Sequence, residues 1–259
     1  FNKLSKLINF DKTLFISINS RWIFNKDQIK KFKNNLINFH SSLLPFDKGG
    51  GGYSWRIMRN ERLYSTTIHL IDEKIDQGRV ILQDFDIFPD KAKIPNDFFE
   101  HSKERILKQY CEFIKNLNDG GKFLLTSSSK YIGDYYPRLS TKVNGWIDWS
   151  WNPEEIERFI NAFDEPYEGA KTFLYETEVK ILDTRLSGSV RYNHSFVNGI
   201  VTNIYKDFVI VQVSKGQSLI IKMIKNKKGE NILNKIKLGD RFYTPSNKLD
   251  SSKKRVFYN

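Results

Sequence analysis

The sequence predicts an α/β chain in two parts: a strand–helix–strand unit extended by more strands and a long helix, then a smaller, mainly β second domain. Three observations predict it. Up to Thr126, short β-rich apolar runs alternate with stretches of helical periodicity. After Pro166, short β-rich runs follow one another with turn residues between them. Between these regions, Thr126-Ser127-Ser128-Ser129 and Tyr135-Tyr136-Pro137 change the character of the chain and mark a junction.

Taken in order, Thr13 to Ile18 reads as a strand, Lys26 to Lys33 as a helix, and Leu36 to Phe39 as a second buried strand. The polar residues at the end of that strand are expected at the carboxyl edge of a parallel sheet, where α/β proteins keep their sites. Gly49 to Gly52 break regular structure, and the Trp55/Met58 spacing makes Tyr53 to Arg59 a short helix. Tyr64 to Ile71 and Val80 to Phe88 read as strands around an acidic loop, Asp72 to Gly78. Phe99, Ile106, Tyr110, Phe113, Ile114 and Leu117 recur at helical spacing, so Phe98 to Leu117 is a helix, stopped by Asp119-Gly120-Gly121. This gives a first domain over 1–126, a junction over 127–150 and a second domain over 151–259. Asn152-Pro153-Glu154-Glu155 is a helix start, and Ile156, Phe159, Ile160 and Phe163 form its core stripe. Phe173 to Leu182, Gly199 to Tyr205, Phe208 to Val213 and Ser218 to Ile224 then fit a small antiparallel barrel.

Composition narrows the function classes. The 259 residues carry a net charge of +12, with 39% hydrophobic and 14% aromatic residues, so the chain is foldable and not an acidic disordered tail. The charge fits nucleic acid, a phosphorylated small molecule or a lysine-rich solvated face. The single cysteine, Cys111, excludes an internal disulfide, and no apolar run approaches the roughly 18 residues of a membrane span. A cytoplasmic protein with no membrane partner is expected. The chain begins at Phe1 without a charged-then-apolar leader, so it is expected to start inside a longer product. His101 and His194 lack partners at ligand spacing, and no metal is expected. No Gly-Lys-Ser/Thr follows the glycine run, which excludes a P-loop. His69 lies in an alternating apolar strand and reads as buried structure.

The most informative segment is Asn38-Phe39-His40-Ser41-Ser42-Leu43-Leu44-Pro45. On a strand, residues two apart share a face, so Asn38 and His40 aim an amide and an imidazole at one point. Two donors where negative charge develops suit acyl transfer, and a carboxylate nearby, for which Asp76 is the candidate, can orient the histidine or take a proton. The alternative is a core histidine at His40 and a turn residue at Asp76.

Five blocks now resemble one family: Ser17-Ile18-Asn19-Ser20-Arg21-Trp22-Ile23, the Asn38-x-His40-x-Ser42-Leu-Leu-Pro45 segment, Trp55 after the glycines, Thr67-Ile68-His69, and Ile75-Asp76-x-Gly78. In order and spacing they resemble the folate-dependent formyltransferases. Gly145-x-Ile147-Asp148-Trp149 and Pro166-Tyr167-x-Gly169-Ala170 resemble the junction and second domain of the methionyl-tRNA and sugar-nucleotide members. The resemblance implies a Rossmann-like first domain, without its first strands in this sequence, and Asn38, His40 and Asp76 as a catalytic trio. It implies 10-formyltetrahydrofolate as formyl donor, held by Arg21, Trp22, Ile23 and the loop containing Asp72. One departure is Lys48-Gly49 where the family has Arg-Gly.

The acceptor implied is the amine of a dTDP-linked amino-dideoxy sugar, such as dTDP-4-amino-4,6-dideoxyglucose, made for O-antigen lipopolysaccharide. Trp55, Tyr135, Arg138 and Lys142 are the substrate candidates, since aromatic rings stack on a base and cations meet a diphosphate. Interdomain packing is the other reading of these aromatics. Methionyl-tRNA as acceptor, which alone would make a nucleic acid the partner, and a non-catalytic degenerate scaffold are the alternatives. Nucleotide-sugar relatives lead to the expectation of a homodimer.

Overall fold

The structure is a computed structural model that describes residues 7–18, 20, 22–50, 52–127, 132–188 and 193–257. Strands β1 (Phe15–Ile18) and β2 (Leu36–His40) lie parallel, joined by helix α1 (Lys26–Phe32). α1 begins where the sequence places it because Asn25 and Gln28 satisfy each other: each side chain accepts the other's backbone N–H at 3.0 Å. Strand β3 (Asp47–Gly49), helix α2 (Tyr53–Arg59), and strands β4 (Leu63–Leu70) and β5 (Val80–Ile87) follow.

The first sheet has the order β1-β2-β4-β5, and β4 is antiparallel to both neighbours. The sheet is therefore mixed, and only its first pair has the parallel arrangement the sequence led one to expect. Alternation divides its faces. Ile37 and Phe39 of β2, with Ile68 and Leu70 of β4, pack against Phe113 of helix α3 (Pro95–Asn118). Asn38, His40, Thr67 and His69 consequently fall on the opposite face. Strand β6 (Asp134–Tyr136), in the expected junction, pairs parallel with β3.

Packing sorts the chain into two units that no single cut separates. Residues up to Gly52, Arg62–Pro89 and Glu100–Pro137 form one; Tyr53–Glu61, Asp90–Phe99 and Arg138–Asn259 form the other. Thus α2 packs in the second unit, against helix α5 (Pro153–Ala162): the Ser54 hydroxyl donates to the Ala162 carbonyl at 2.7 Å, and Arg158 Nε to the Met58 carbonyl at 3.0 Å. Ile156, Phe159, Ile160 and Phe163 are all buried, so the α5 stripe is core.

The second unit also holds helix α4 (Thr141–Asn144), strands β7 (Ala170–Leu174), β8 (Thr177–Gly188), β9 (Val201–Ile204), β10 (Val209–Gln212), β11 (Gln217–Lys225) and β12 (Phe242–Tyr243), and helix α6 (Ser246–Ser252). The stretch read as one strand, Phe173 to Leu182, is instead the β7–β8 hairpin. Tyr175 turns the chain there with a φ of 53°, a left-handed conformation usually signalled by glycine or asparagine. Its hydroxyl donates to Asp240. The six strands run β12-β7-β8-β11-β10-β9, and the two ends meet through an Ile200–Arg241 bridge: Val201 N–H donates to Asp240 O at 2.7 Å, and Phe242 N–H to Gly199 O at 2.8 Å. The sheet closes as a small barrel. No described helix is long and apolar enough to cross a membrane.

Candidate active site

The polar face of β2 and β4 is where candidate residues gather. Asn38 pairs in register with His69, and His40 with Thr67. The loop after β4 leaves beside the start of β2, where Ile71 N–H donates to Leu36 O at 3.0 Å, and carries Asp76 to this face. One oxygen of Asp76 lies 3.7 Å from His40 Nε2 and the other 3.6 Å from His69 Nε2. Asn38 Nδ2 is 3.3 Å from the same His69 nitrogen. Asn38, His69, Asp76 and His40 are thus linked in sequence around one point.

Backbone geometry aims the carboxylate. Gly49 N–H donates to Asp76 Oδ2 at 2.7 Å. Asp76 itself has a φ of 53°, which aspartate tolerates better than most residues. Gly78 lets the loop close on β4, since a Cβ there would lie 1.8 Å from the Leu70 carbonyl oxygen.

His69 is buried, and its Nδ1–H donates to the Leu70 carbonyl at 2.8 Å, which leaves Nε2 as an acceptor for Asn38. Burial and the neighbouring His40 charge push the His69 imidazole down to about 4, against the opposing pull of Asp76, so the ring is neutral near pH 7. The sequence reading as buried structure describes its position but misses its contacts: the apolar alternation around His69 is a burial signal, and only the register with Asn38 reveals the rest.

Ser42, Ser65, Thr67 and Gln83 form a polar layer beneath the segment after β2. The Ser42 hydroxyl is 2.6 Å from His40 Nε2 and donates to Asp47 O at 2.7 Å. The hydroxyls of Ser65 and Thr67 both donate to the Ser42 carbonyl, at 3.0 and 3.1 Å. Gln83 Nε2 donates to Thr67 Oγ1 at 2.9 Å and to Leu44 O at 3.0 Å.

Of the other sequence candidates, Trp22 and Ile23 are exposed in the segment between β1 and α1, and Asp72 is exposed in the β4–β5 loop. A Lys26–Glu73 ion pair at 3.2 Å joins the first residue of α1 to the β4–β5 loop. Arg21 lies outside the described residues. Tyr135 stands over Gly49, where an added Cβ would meet its ring at 2.3 Å, so it adjoins the backbone that holds Asp76. Trp55, Arg138 and Lys142 belong to the second packing unit; Trp55 and Arg138 are half-buried, and the Lys142 carbonyl accepts from Lys171 Nζ. Lys48 is buried and donates to Ile132 O at 3.1 Å, which gives the lysine at that departure a structural partner.

Comparison with known proteins places this site in a wider context. The sequence matches two family models, "Formyl transferase" over residues 16–105 and "Formyl transferase, C-terminal domain" over residues 140–236. It is 28% identical over 159 residues to the GDP-perosamine N-formyltransferase of Brucella melitensis, covering 61% of this chain and 59% of that protein. The chain therefore spans about three-fifths of the length of that relative. It is 27% identical over 247 residues to the methionyl-tRNA formyltransferase of Fusobacterium nucleatum, covering 92% of this chain and 77% of that one. The N-formyltransferase of Helicobacter canadensis, solved with folinic acid and dTDP-3-aminofucose, shares the fold, with a TM-score of 0.61, 21% identity and coverage of 81% of this chain and 73% of that chain.

Proposed function

Because this chain belongs to the formyl transferase family, we propose that it moves a formyl group from 10-formyltetrahydrofolate to the amine of a nucleotide-linked amino sugar. The finer reading is a dTDP-linked amino-dideoxy sugar, such as dTDP-4-amino-4,6-dideoxyglucose, for O-antigen lipopolysaccharide. The observation that carries the activity is the gathering of Asn38, His40 and Asp76, with His69 between, on one polar sheet face.

The chemistry of this set fits a formyl carbonyl and an attacking amine. The folate supplies the formyl carbon when bound, and Trp22, Ile23 and the Asp72 loop are the residues assigned to hold it. The Asn38 amide and an N–H of the His40 imidazole donate to the oxygen on which negative charge develops, each such donor contributing on the order of 10²–10³ in turnover. Asp76 takes the proton that the amine loses. His69 Nε2, a lone-pair acceptor 3.6 Å from Asp76, faces the carboxyl that then carries it. Tyr135 is the aromatic assigned to the acceptor substrate, an assignment supported by its position beside Gly49, whose N–H holds Asp76.

A second reading, transfer to methionyl-tRNA, is favoured by the 92% coverage of the Fusobacterium relative and by the net charge of +12. Incubation with 10-formyltetrahydrofolate and either dTDP-amino sugars or charged initiator tRNA, with the product mass read out, separates the two. A formyl gain on the sugar is expected. A gain on the aminoacyl-tRNA alone would overturn the sugar reading, and no gain on either would overturn both.

A further inference from the structure

Ser42 makes two short contacts with one proton to give. Asp47 O is a carbonyl and can only accept, so the hydroxyl proton goes there, at 2.7 Å. The 2.6 Å contact between Ser42 Oγ and His40 Nε2 must then be donated by the imidazole. A second contact has the same requirement: Nε2 is also 3.3 Å from Asp47 O, which would repel a nitrogen lone pair. We propose that Ser42 is a positioning residue that fixes His40 in the Nε2–H tautomer.

The mounting of Ser42 is rigid enough for that role. The residue is 2% exposed, and its carbonyl is held by the hydroxyls of Ser65 and Thr67, both wholly buried. Gln83 bonds both hydroxyls and the Leu44 carbonyl, so the turn after β2 is fixed from below at two carbonyls. His69 holds the opposite tautomer, with Nδ1–H on Leu70 O. Asp76 therefore stands between an N–H on one histidine and a lone pair on the other. On the formyl-transfer reading above, on which this role rests, Nε2 of His40 keeps its proton throughout.

The test reads the tautomer directly. The chain has four histidines, so long-range ¹H–¹⁵N spectra of the intact protein at alkaline pH resolve every ring, with His40 assigned by its loss in His40→Gln. Expected are Nε2–H for His40 and Nδ1–H for His69. Ser42→Ala should move His40 toward Nδ1–H and lower kcat by about tenfold or more with KM little changed. Thr67→Val, which loosens the mounting but keeps the Ser42 hydroxyl, should leave the tautomer in place. Nδ1–H at His40 in the unaltered protein, or an unchanged tautomer in a folded Ser42→Ala protein, would overturn the proposal. These spectra need no substrate: Nε2–H at His40 in a protein that formylates nothing supports the tautomer role of Ser42 and sinks the formyl-transfer reading instead.

Discussion

The backbone N–H of Gly49 donates to Asp76 Oδ2 across 2.7 Å, so the end of β3 aims a carboxylate supplied by the loop after β4. This contact requires a residue without a side chain. Gly49 has a φ of +81°, and a Cβ would come within 2.3 Å of the Tyr135 ring and 2.9 Å of the Tyr136 carbonyl. Gly49→Ala is expected to cost about 1–3 kcal/mol in chemical denaturation, and to lower turnover because Asp76 loses its aim. A variant of unchanged stability would show that the end of β3 adapts freely.

Asn38→Ala and Asp76→Asn remove chemistry with little change of shape. Turnover is expected to fall on the order of 10²–10³ for each, while circular dichroism and the melting temperature stay near those of the parent. Near-normal turnover in either variant would remove that residue from the trio.

The neutral His69 makes stability depend on pH with a definite sign. Its folded value of about 4 lies below the ordinary 6.5, so between these values the unfolded chain binds more protons than the folded one. Stability should rise with pH across that window, by up to about 1.4 kcal/mol per pH unit, and the His69 contribution should be flat above it. Urea titrations from about pH 4.5 to 7.5 check this, with His69→Gln as the comparison lacking this slope. Equal slopes in both proteins would contradict the assignment.

Tyr135 separates substrate recognition from chemistry. If its ring stacks on the acceptor's base, Tyr135→Ala should raise KM for the nucleotide sugar about three- to tenfold, matching an aromatic stacking contribution of about 0.5–1.5 kcal/mol, with kcat less affected. A fall in kcat alone would make Tyr135 a support for Gly49 only.

The gathering of Asn38, His40 and Asp76 is legible because period-two alternation puts Asn38 and His40 on one face whatever the strand pairs with, and the Asp76 loop is bounded by clear strands. Its surroundings are not. Ser65, Thr67 and Gln83 are ordinary strand residues until the β4–β5 register sets Thr67 opposite Gln83. The β7–β8 turn was hidden because Tyr175 takes a left-handed conformation without the usual residue. The β3–β6 pair is three residues long on each side and 87 positions apart by its Asp47–Asp134 register, too short to show in any pattern. The placement of α2 in the second unit depends on hydrogen bonds to α5, and amphipathic spacing alone does not say which partner a helix chooses.

The joining of Ile200 to Arg241 has a consequence for how the second unit is made. β12 is the last of the six strands of this sheet to be synthesised, yet it pairs with β7, whose Phe173 lies opposite Tyr243. During translation the five earlier strands emerge as an open ribbon with unpaired backbone at both rims. Only when the chain past Tyr243 clears the ribosome can both rims be satisfied at once, so barrel formation is a late and cooperative event. Released chains ending before β12 should be far more sensitive to protease than released chains carried through α6.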